Sequence, residues 1–418
     1  MKLPQTITDS PVKIDKLVPG GQGIGTGKEG IKGFFWNALP GETVTEYEIT
    51  KKKSHYFEAV ALKIESPSPH RITEKDSCYL STSPWQIMDY AYELEQKTEL
   101  LSEIFRQNCI FDMGDTSRGT PGAHSAEGTS TLGDDSWQDP SSKIQTDGKD
   151  FFYRNKMEYS LYFDHETEKL HLGFHQRGTH RKIKVETSSI ERPEIFKEAQ
   201  KIIDELNKTH ADGRKYQSLL LRCNQNGEVE GGLYENHTPH PIFNNLTDTI
   251  LGKTYSYSPN GFFQINLPVY EMALKEIKQY IKTEDVLDLY AGVGTIGLSV
   301  ASDKNLTLIE VDQAAFKELQ KNAKNHKTIL EKSENITELI APGQTVIVDP
   351  PRAGLDKKLV EKFLETTPET IIYLSCNPAT QARDIKLLSE KYQIAKLQAF
   401  NFFPRTPHLE NLIVLNRR

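Results

Sequence analysis

The spacing of apolar positions changes three times along this 418-residue chain. Between Val12 and Glu65, apolar and polar positions alternate in short runs, such as Thr43-Val44-Thr45-Glu46-Tyr47-Glu48-Ile49 and Ala59-Val60-Ala61-Leu62-Lys63-Ile64. A period of two is that of half-buried strands. Turns punctuate them at Val18-Pro19-Gly20-Gly21-Gln22-Gly23-Ile24-Gly25 and at Gly30, Gly33 and Gly41. The pattern predicts a small five-stranded barrel of the OB type over 8–66. From Trp85 to Phe111 the period lengthens to threes and fours through Ile87, Tyr90, Ala91, Leu94, Leu101, Ile104 and Phe105. That predicts a helix over 85–111, a candidate to pack on the last domain. Gly, Ser, Thr, Asp and Pro dominate 114–149, with too few apolar residues to offset ordering entropy, so a mobile insertion is expected there. Strand-like runs resume from Phe151 to Lys184, then a helix near 192–207 and further strands to Tyr234, giving a central mixed α+β domain over 67–250.

In the last third, 251–418, apolar runs alternate with helical patterns. Strands are expected at Val286–Leu289, Leu306–Val311, Thr345–Val348, Ile371–Ser375, Ile394–Ala399 and Leu412–Asn416. Helices are expected at Val269–Ile281, Thr295–Ala301, Ala314–Lys324, Leu359–Leu364 and Pro378–Lys391. This is an α/β, Rossmann-like, doubly wound parallel sheet, which binds ligands at the carboxyl ends of its strands.

Composition narrows the classes. No run of about 18 apolar residues occurs, which argues against a membrane-spanning helix, and the N-terminus lacks the basic-then-apolar order of a secretory signal. Cys78, Cys109, Cys223 and Cys376 are far apart, which excludes a disulfide scaffold or a zinc knuckle and points to the cytoplasm. Fifty-one basic against 58 acidic residues give a net charge of −7, which by itself argues mildly against a polyanionic partner. A local basic face is all such a partner needs, and Lys51–Lys53 beside His55, Tyr56 and Phe57, with Arg154, Lys156, Arg177, Arg181 and Lys182, are candidates.

Four motifs sit at expected strand ends. In Val286-Leu287-Asp288-Leu289-Tyr290-Ala291-Gly292-Val293-Gly294-Thr295-Ile296-Gly297, a strand runs through a glycine turn into a helix, so backbone can approach a nucleotide. Asp288 would oppose a pyrophosphate but suits the ammonium of a methionine moiety. Glu310, ending the next strand, can hold both ribose hydroxyls, so the layout suits S-adenosylmethionine. In Val346-Ile347-Val348-Asp349-Pro350-Pro351-Arg352-Ala353-Gly354, two prolines stiffen a loop that can present Asp349 to a planar base beside the cofactor. In Tyr373-Leu374-Ser375-Cys376-Asn377-Pro378, a thiol lies on the same edge, before a helix N-terminus. In Asn401-Phe402-Phe403-Pro404-Arg405-Thr406-Pro407-His408-Leu409-Glu410, Glu410 is a candidate general base, with His408 or Arg405 positioning it or a phosphate.

These four strings, in this order, resemble the RNA uracil-5-methyltransferase family, whose members methylate C5 of uridine in ribosomal or transfer RNA. Gly261-Phe262-Phe263-Gln264-Ile265-Asn266 is similar to the motif that opens that family's methyltransferase domain. Phe152-Tyr153-Arg154-Asn155-Lys156-Met157-Glu158 and Leu172-Gly173-Phe174-His175-Gln176-Arg177-Gly178 resemble its central domain, and the barrel resembles the TRAM domain of some members. The resemblance implies a class I methyltransferase domain with S-adenosylmethionine as cofactor, Cys376 as nucleophile and Glu410 as base. It implies Gln264, Tyr290, Glu310 and Asp349 as cofactor contacts, Asp349 also near the uracil; the cysteine pattern, not the resemblance, predicts no resident metal. Structured RNA is the implied partner, ribosomal (23S) favoured over transfer RNA by the barrel, and the protein is expected to be a monomer.

Two departures stand out. Many members hold a four-iron cluster through a cysteine-rich stretch after the barrel and one later cysteine; here the stretch 66–84 keeps only Cys78, and Thr187-Ser188-Ser189 has none, so no iron–sulfur cluster is expected. Arg405 stands where the family has histidine. Two readings of other classes exist. A nicotinamide-dependent oxidoreductase would fit Gly292–Gly297 but leaves Cys376 and Glu410 idle, as would a non-catalytic RNA-binding protein.

Overall fold

The computed structural model describes residues 5–7, 10–108, 143–179, 181–209, 215–235, 238–240 and 243–418. Cys109 and most of the expected 114–149 insertion lie outside the described residues.

The alternating runs form β1 (Gln5–Ile7), β2 (Val12–Leu17), β3 (Gly23–Thr26), β4 (Lys32–Trp36), β5 (Thr43–Lys52) and β6 (Tyr56–Ser66). Long β5 pairs with both β2 and β6, so five strands close into a barrel in the order β5-β2-β3-β4-β6. Closure leaves no open edge in that ring, and β1, not anticipated from the pattern, adds to β5 from outside. Alternate positions Val12, Ile14, Phe35, Val44, Phe57 and Ala59 fill the interior. Gly21, in the turn after β2, has φ +95°, and an added Cβ would fall 2.6 Å from Cβ of Pro407. Only glycine lets the barrel press on that distant loop.

Next come α1 (Tyr79–Thr82) and α2 (Tyr90–Gln107). The helix expected from 85 begins at Tyr90, because Asp89 caps it by accepting the Tyr92 N–H at 2.8 Å. Trp85, Ile87 and Met88 instead pack beside Leu17 and Leu39 of the barrel. Further along, α2 buries Leu101 and Phe105 in the core of the last sheet.

The central sheet comprises β7 (Lys156–Asp164), β8 (Lys169–His175), β9 (Lys182–Lys184), β10 (Tyr216–Cys223), β11 (Val229–Glu235) and β12 (Thr238–His240), antiparallel in the order β12-β11-β10-β7-β8-β9. Helix α3 (Pro193–Lys208) covers one face with Ile195, Ala199 and Ile203. The hairpin β13 (Leu246–Ile250) and β14 (Lys253–Tyr257) follows. Its Leu246, Ile250, Tyr255 and Tyr257 join the core of the last sheet, so the expected boundary between 250 and 251 falls in its turn.

The last region runs α4 (Leu267–Lys278), β15 (Asp285–Leu289), α5 (Thr295–Val300), β16 (Asn305–Glu310), α6 (Gln313–Asn322), β17 (Lys327–Leu330), β18 (Thr345–Val348), α7 (Lys357–Thr366), β19 (Thr370–Ser375), α8 (Pro378–Leu388), β20 (Tyr392–Phe400) and β21 (Glu410–Arg417). The seven strands are ordered β17-β16-β15-β18-β19-β21-β20. All neighbours are parallel except β21, which runs antiparallel to β19 and β20. Separate apolar clusters cover the two faces, which is why β18 and β19 are buried at every position. Strand order reverses between β15 and β18, and a ligand crevice opens there. Among the described residues no helix is long and apolar enough to cross a membrane.

Candidate active site

The loop leaving β15 is shaped by two carboxylates. Asp288 is buried, and its Oδ2 accepts the Gly297 N–H at 2.9 Å. An added Cβ on Gly297 would fall 2.6 Å from that oxygen, so the glycine is needed for the close approach of α5 to β15. The other oxygen, Oδ1, is buried with no partner. Burial raises the Asp288 carboxyl to about 7, the Gly297 amide opposing and Asp349 and Glu310 adding to the rise. Tyr290 turns the chain with φ +63°, and Ala291 donates to the Ile309 carbonyl at 2.8 Å. Glu310, ending β16, accepts Gly292 N–H at 2.7 Å on one oxygen, and Val311 and Asp312 N–H at 2.9 and 2.6 Å on the other. Gln264 is buried on the segment before α4; its carbonyl accepts from Asn155 Nδ2 at 3.0 Å, while Phe263 stacks on Tyr257 at 4.0 Å. A cradle with an unpaired buried carboxylate oxygen and a glycine approach fits a cationic nucleoside donor better than a pyrophosphate.

The adjoining half is set by strand register. Ser375 on β19 lies opposite Asn411 on antiparallel β21, so one step further Cys376, which follows Ser375, and Glu410, which precedes Asn411, face each other at the sheet edge. Gln381 of α8 locks this register: its Nε2 donates to the Tyr373 and Asn411 carbonyls at 2.9 and 3.0 Å, and Asn411 Nδ2 donates to its Oε1 at 2.7 Å. Asp349 follows β18, half-buried, with its carboxyl pushed by burial to about 7. Glu410 is 3% exposed, and its Oε2 has no partner. Burial pushes its carboxyl well up, Asp349 adds to this, and Arg352 opposes it. Burial, then Glu410 and Asp349, push the Cys376 thiol up to about 11, again against Arg352. Asp349 acts on both other groups and Glu410 acts on Cys376, so the three stand close together.

Arg352 carried no expectation of its own, although the Asp-Pro-Pro-Arg string contained it. Its side chain meets His408 Nδ1 at 3.2 Å, while its carbonyl accepts from Asn377 Nδ2 at 2.8 Å. Burial, then Arg352, lower the His408 imidazole to about 4, so it is neutral near pH 7. Beside Gln264, Phe262 is 71% exposed, an unusual position for a large apolar ring.

Some expectations need correction. Arg405 does not reach Glu410 or a phosphate: it is buried, paired with Asp150, and donates from Nη1 to the Met88 carbonyl at 2.5 Å. Arg177 is no free RNA cation; it stacks 4.4 Å from the Trp36 ring and donates to the Leu80 carbonyl at 2.5 Å. Lys156 and Lys182 are half-buried and donate to backbone carbonyls. Lys51–Lys53 and Arg181 are exposed. The segments expected to lack cluster ligands meet in space: Cys78 Sγ bonds the Thr187 carbonyl at 3.5 Å, and Asp76 accepts from Ser189 N–H and Oγ at 2.9 Å each. Among the described residues no group of three or more His, Cys, Asp or Glu could hold a metal.

The strand order and the acid-and-glycine crevice define a class I methyltransferase. The tRNA (Uracil-5-)-methyltransferase family model matches residues 309–418. A Bacillus cereus protein described as an uncharacterized RNA methyltransferase is 27% identical over 98% of this chain and 96% of its own. One from Lactobacillus johnsonii, described likewise, is 29% identical over 97% and 96%. The chain is also similar to the crystal structure of Pyrococcus abyssi tRNA (uracil-54, C5)-methyltransferase in complex with S-adenosyl-L-homocysteine, with a TM-score of 0.72 and 22% identity over 97% of this chain and 99% of that one. Along nearly its whole length the chain is thus similar to proteins described as RNA methyltransferases, and its C-terminal part matches the uracil-5-methyltransferase family model.

Proposed function

We propose that this protein methylates C5 of a uridine in structured RNA, with S-adenosylmethionine as donor, through a covalent bond between Cys376 and C6 of the base. The observation that carries this reading is the placement of Cys376 opposite Glu410, next to Asp349 and the crevice of Asp288 and Glu310. Glu310 binds the ribose, Gln264 and Tyr290 line the donor's path, and Asp349 lies between donor and uracil. S-adenosylmethionine supplies an electrophilic methyl on a sulfonium.

Uracil C5 is a weak nucleophile until sulfur adds at C6. The Cys376 thiol gives up its proton to water and its lone pair forms the S–C6 bond; the C5=C6 electrons move onto C5 and O4. C5 then takes the methyl, and the donor sulfur keeps the bonding pair. Glu410, whose buried carboxylate is strongly basic, takes the C5 proton. The C5–H electrons restore C5=C6 and expel the thiolate. A base buried as deeply as Glu410 is reached only by a uridine that leaves its stack.

Ribosomal 23S RNA was the expected substrate because of the barrel. A specific observation favours transfer RNA as a second reading: the Pyrococcus enzyme matches 97% of this chain, so a barrel does not separate the two classes. In either case we read the protein as a cytoplasmic monomer. Mapping 5-methyluridine in ribosomal and transfer RNA from cells lacking the gene decides between them. Loss of one site in 23S RNA supports the first, loss in transfer RNA the second, and loss nowhere overturns both.

A further inference from the structure

The loop between β20 and β21, residues 401–409, carries His408 and leads into Glu410, yet little of it is held by its own sheet. Trp85, Gln145, Tyr153 and Asn266 each bond its backbone once, and its one buried ionic grip on backbone comes from α2, far away in the sequence. Glu93 is 0% exposed, and its two carboxylate oxygens accept the Arg405 backbone N–H at 3.1 and 3.0 Å. Lys97, one turn along and equally buried, donates to Glu93 at 2.8 Å, to Asn401 Oδ1 at 2.6 Å and to the Phe403 carbonyl at 3.1 Å. An ammonium has three protons, and all three are used. Asn401 donates in return to Glu93 at 3.3 Å. Arg405 needs this support, since its backbone has φ +62°, a conformation that a non-glycine residue adopts only when its surroundings impose it.

A buried ion pair stabilises a fold little against an apolar pair of the same size, and losing one partner is costly. This pair contacts backbone and amide groups of one loop, an arrangement that fixes geometry and is wasteful as mere packing. We propose that Glu93 and Lys97 are positioning residues: through Asn401 and the Arg405 amide they hold the 401–409 loop so that Glu410 points at the C5 proton. The proposal rests on the reading of Glu410 as the base.

The test uses full-length Glu93→Gln and Lys97→Met, with Arg71→Gln as a control that breaks a neighbouring ion pair, Arg71–Glu42, whose side chains bond no group of the loop. Each is given the RNA carrying the mapped uridine, and the same RNA with 5-fluorouridine at that position. Displacing a base by about an ångström costs on the order of 10²-fold. In the two α2 variants, multiple-turnover release of free methylated RNA should fall by about that factor at unchanged KM. Capture of 5-fluorouridine RNA, which precedes proton removal, should stay within about threefold of the starting protein, and a Cys376 adduct should accumulate on ordinary uridine. Arg71→Gln should do none of this. Turnover within about threefold of the starting protein overturns the proposal, as does an equal loss of capture and turnover in folded variants. If Glu93→Gln does not fold, Asn401→Ala, which uncovers no buried carboxylate, is judged by the same two outcomes. Failure of the unaltered protein to capture 5-fluorouridine RNA would instead sink the reading of Cys376 and Glu410.

Discussion

Cys376 and Glu410 face each other across the antiparallel pair β19–β21, one step beyond the Ser375–Asn411 pair. In an otherwise parallel sheet, only β21 delivers its first residue to the edge where the other strands end, so the proposed nucleophile and the proposed base come from opposite chain directions. Cys376→Ser is expected to abolish methylation, by on the order of 10⁴-fold or more, and to form no adduct with 5-fluorouridine RNA on a denaturing gel.

Glu410→Gln should separate the two halves of the reaction. Sulfur addition and methyl transfer remain, while proton removal slows by roughly 10²–10⁴-fold. Mass spectrometry of the protein after mixing with RNA and donor should show methylated RNA bound to Cys376. A variant that turns over normally would remove Glu410 from the mechanism.

The thiol of free Cys376, raised to about 11, is thiolate in only about one molecule in ten thousand at pH 7. Alkylation of this cysteine by iodoacetamide should therefore rise about tenfold per pH unit from 7 to 10. Arg352 lowers this pKa, so Arg352→Ala should slow the reaction further at every pH below 11. A plateau near pH 8 would show that the thiol is already activated without RNA.

Asp288 couples stability to pH. Its folded value of about 7 lies above the unfolded carboxyl value near 3.9, so the folded state holds a proton that the unfolded state releases. The resulting stabilisation is fully present below about pH 4, is lost as pH rises to about 7, and changes little beyond. Scanning calorimetry of Asp288→Asn should show a shallower fall in Tm between pH 4 and 7 than the unaltered protein, together with weaker S-adenosylmethionine binding by isothermal titration.

Gly297→Ala drives a methyl group against the Asp288 carboxylate, 2.6 Å away. Overpacking of this kind costs about 1–3 kcal/mol, and the displaced α5 should weaken donor binding as well. Thermal melting and titration with S-adenosylhomocysteine measure the two effects separately.

Strand-end chemistry was legible in the sequence because Asp349 and Cys376 follow apolar runs that can only be buried strands. The edge strand β17 was not. Lys327-Thr328-Ile329-Leu330 forms β17 with an exposed residue at each end, and its two central residues do not distinguish a strand from a turn. Arg405 was misread for a different reason: an arginine between prolines looks like a surface residue, and its burial depends on Asp150 and Glu93, which lie 255 and 312 positions away. Pairings over such distances leave no local pattern. Arg177 likewise reads as a free cation until the barrel's Trp36 is placed against it.

The same long reach governs how the chain comes to be built. During synthesis α2 emerges early with Leu101 and Phe105 ready for burial, but the sheet that covers them, and the loop that satisfies Lys97, are made last. For most of translation this helix is an uncovered apolar stripe carrying an ion pair whose loop partners do not yet exist, the kind of surface on which chaperones act. Cutting out 251–418 as a free-standing catalytic fragment would recreate that state from the other side, leaving a sheet without its cover and a loop without its clamp.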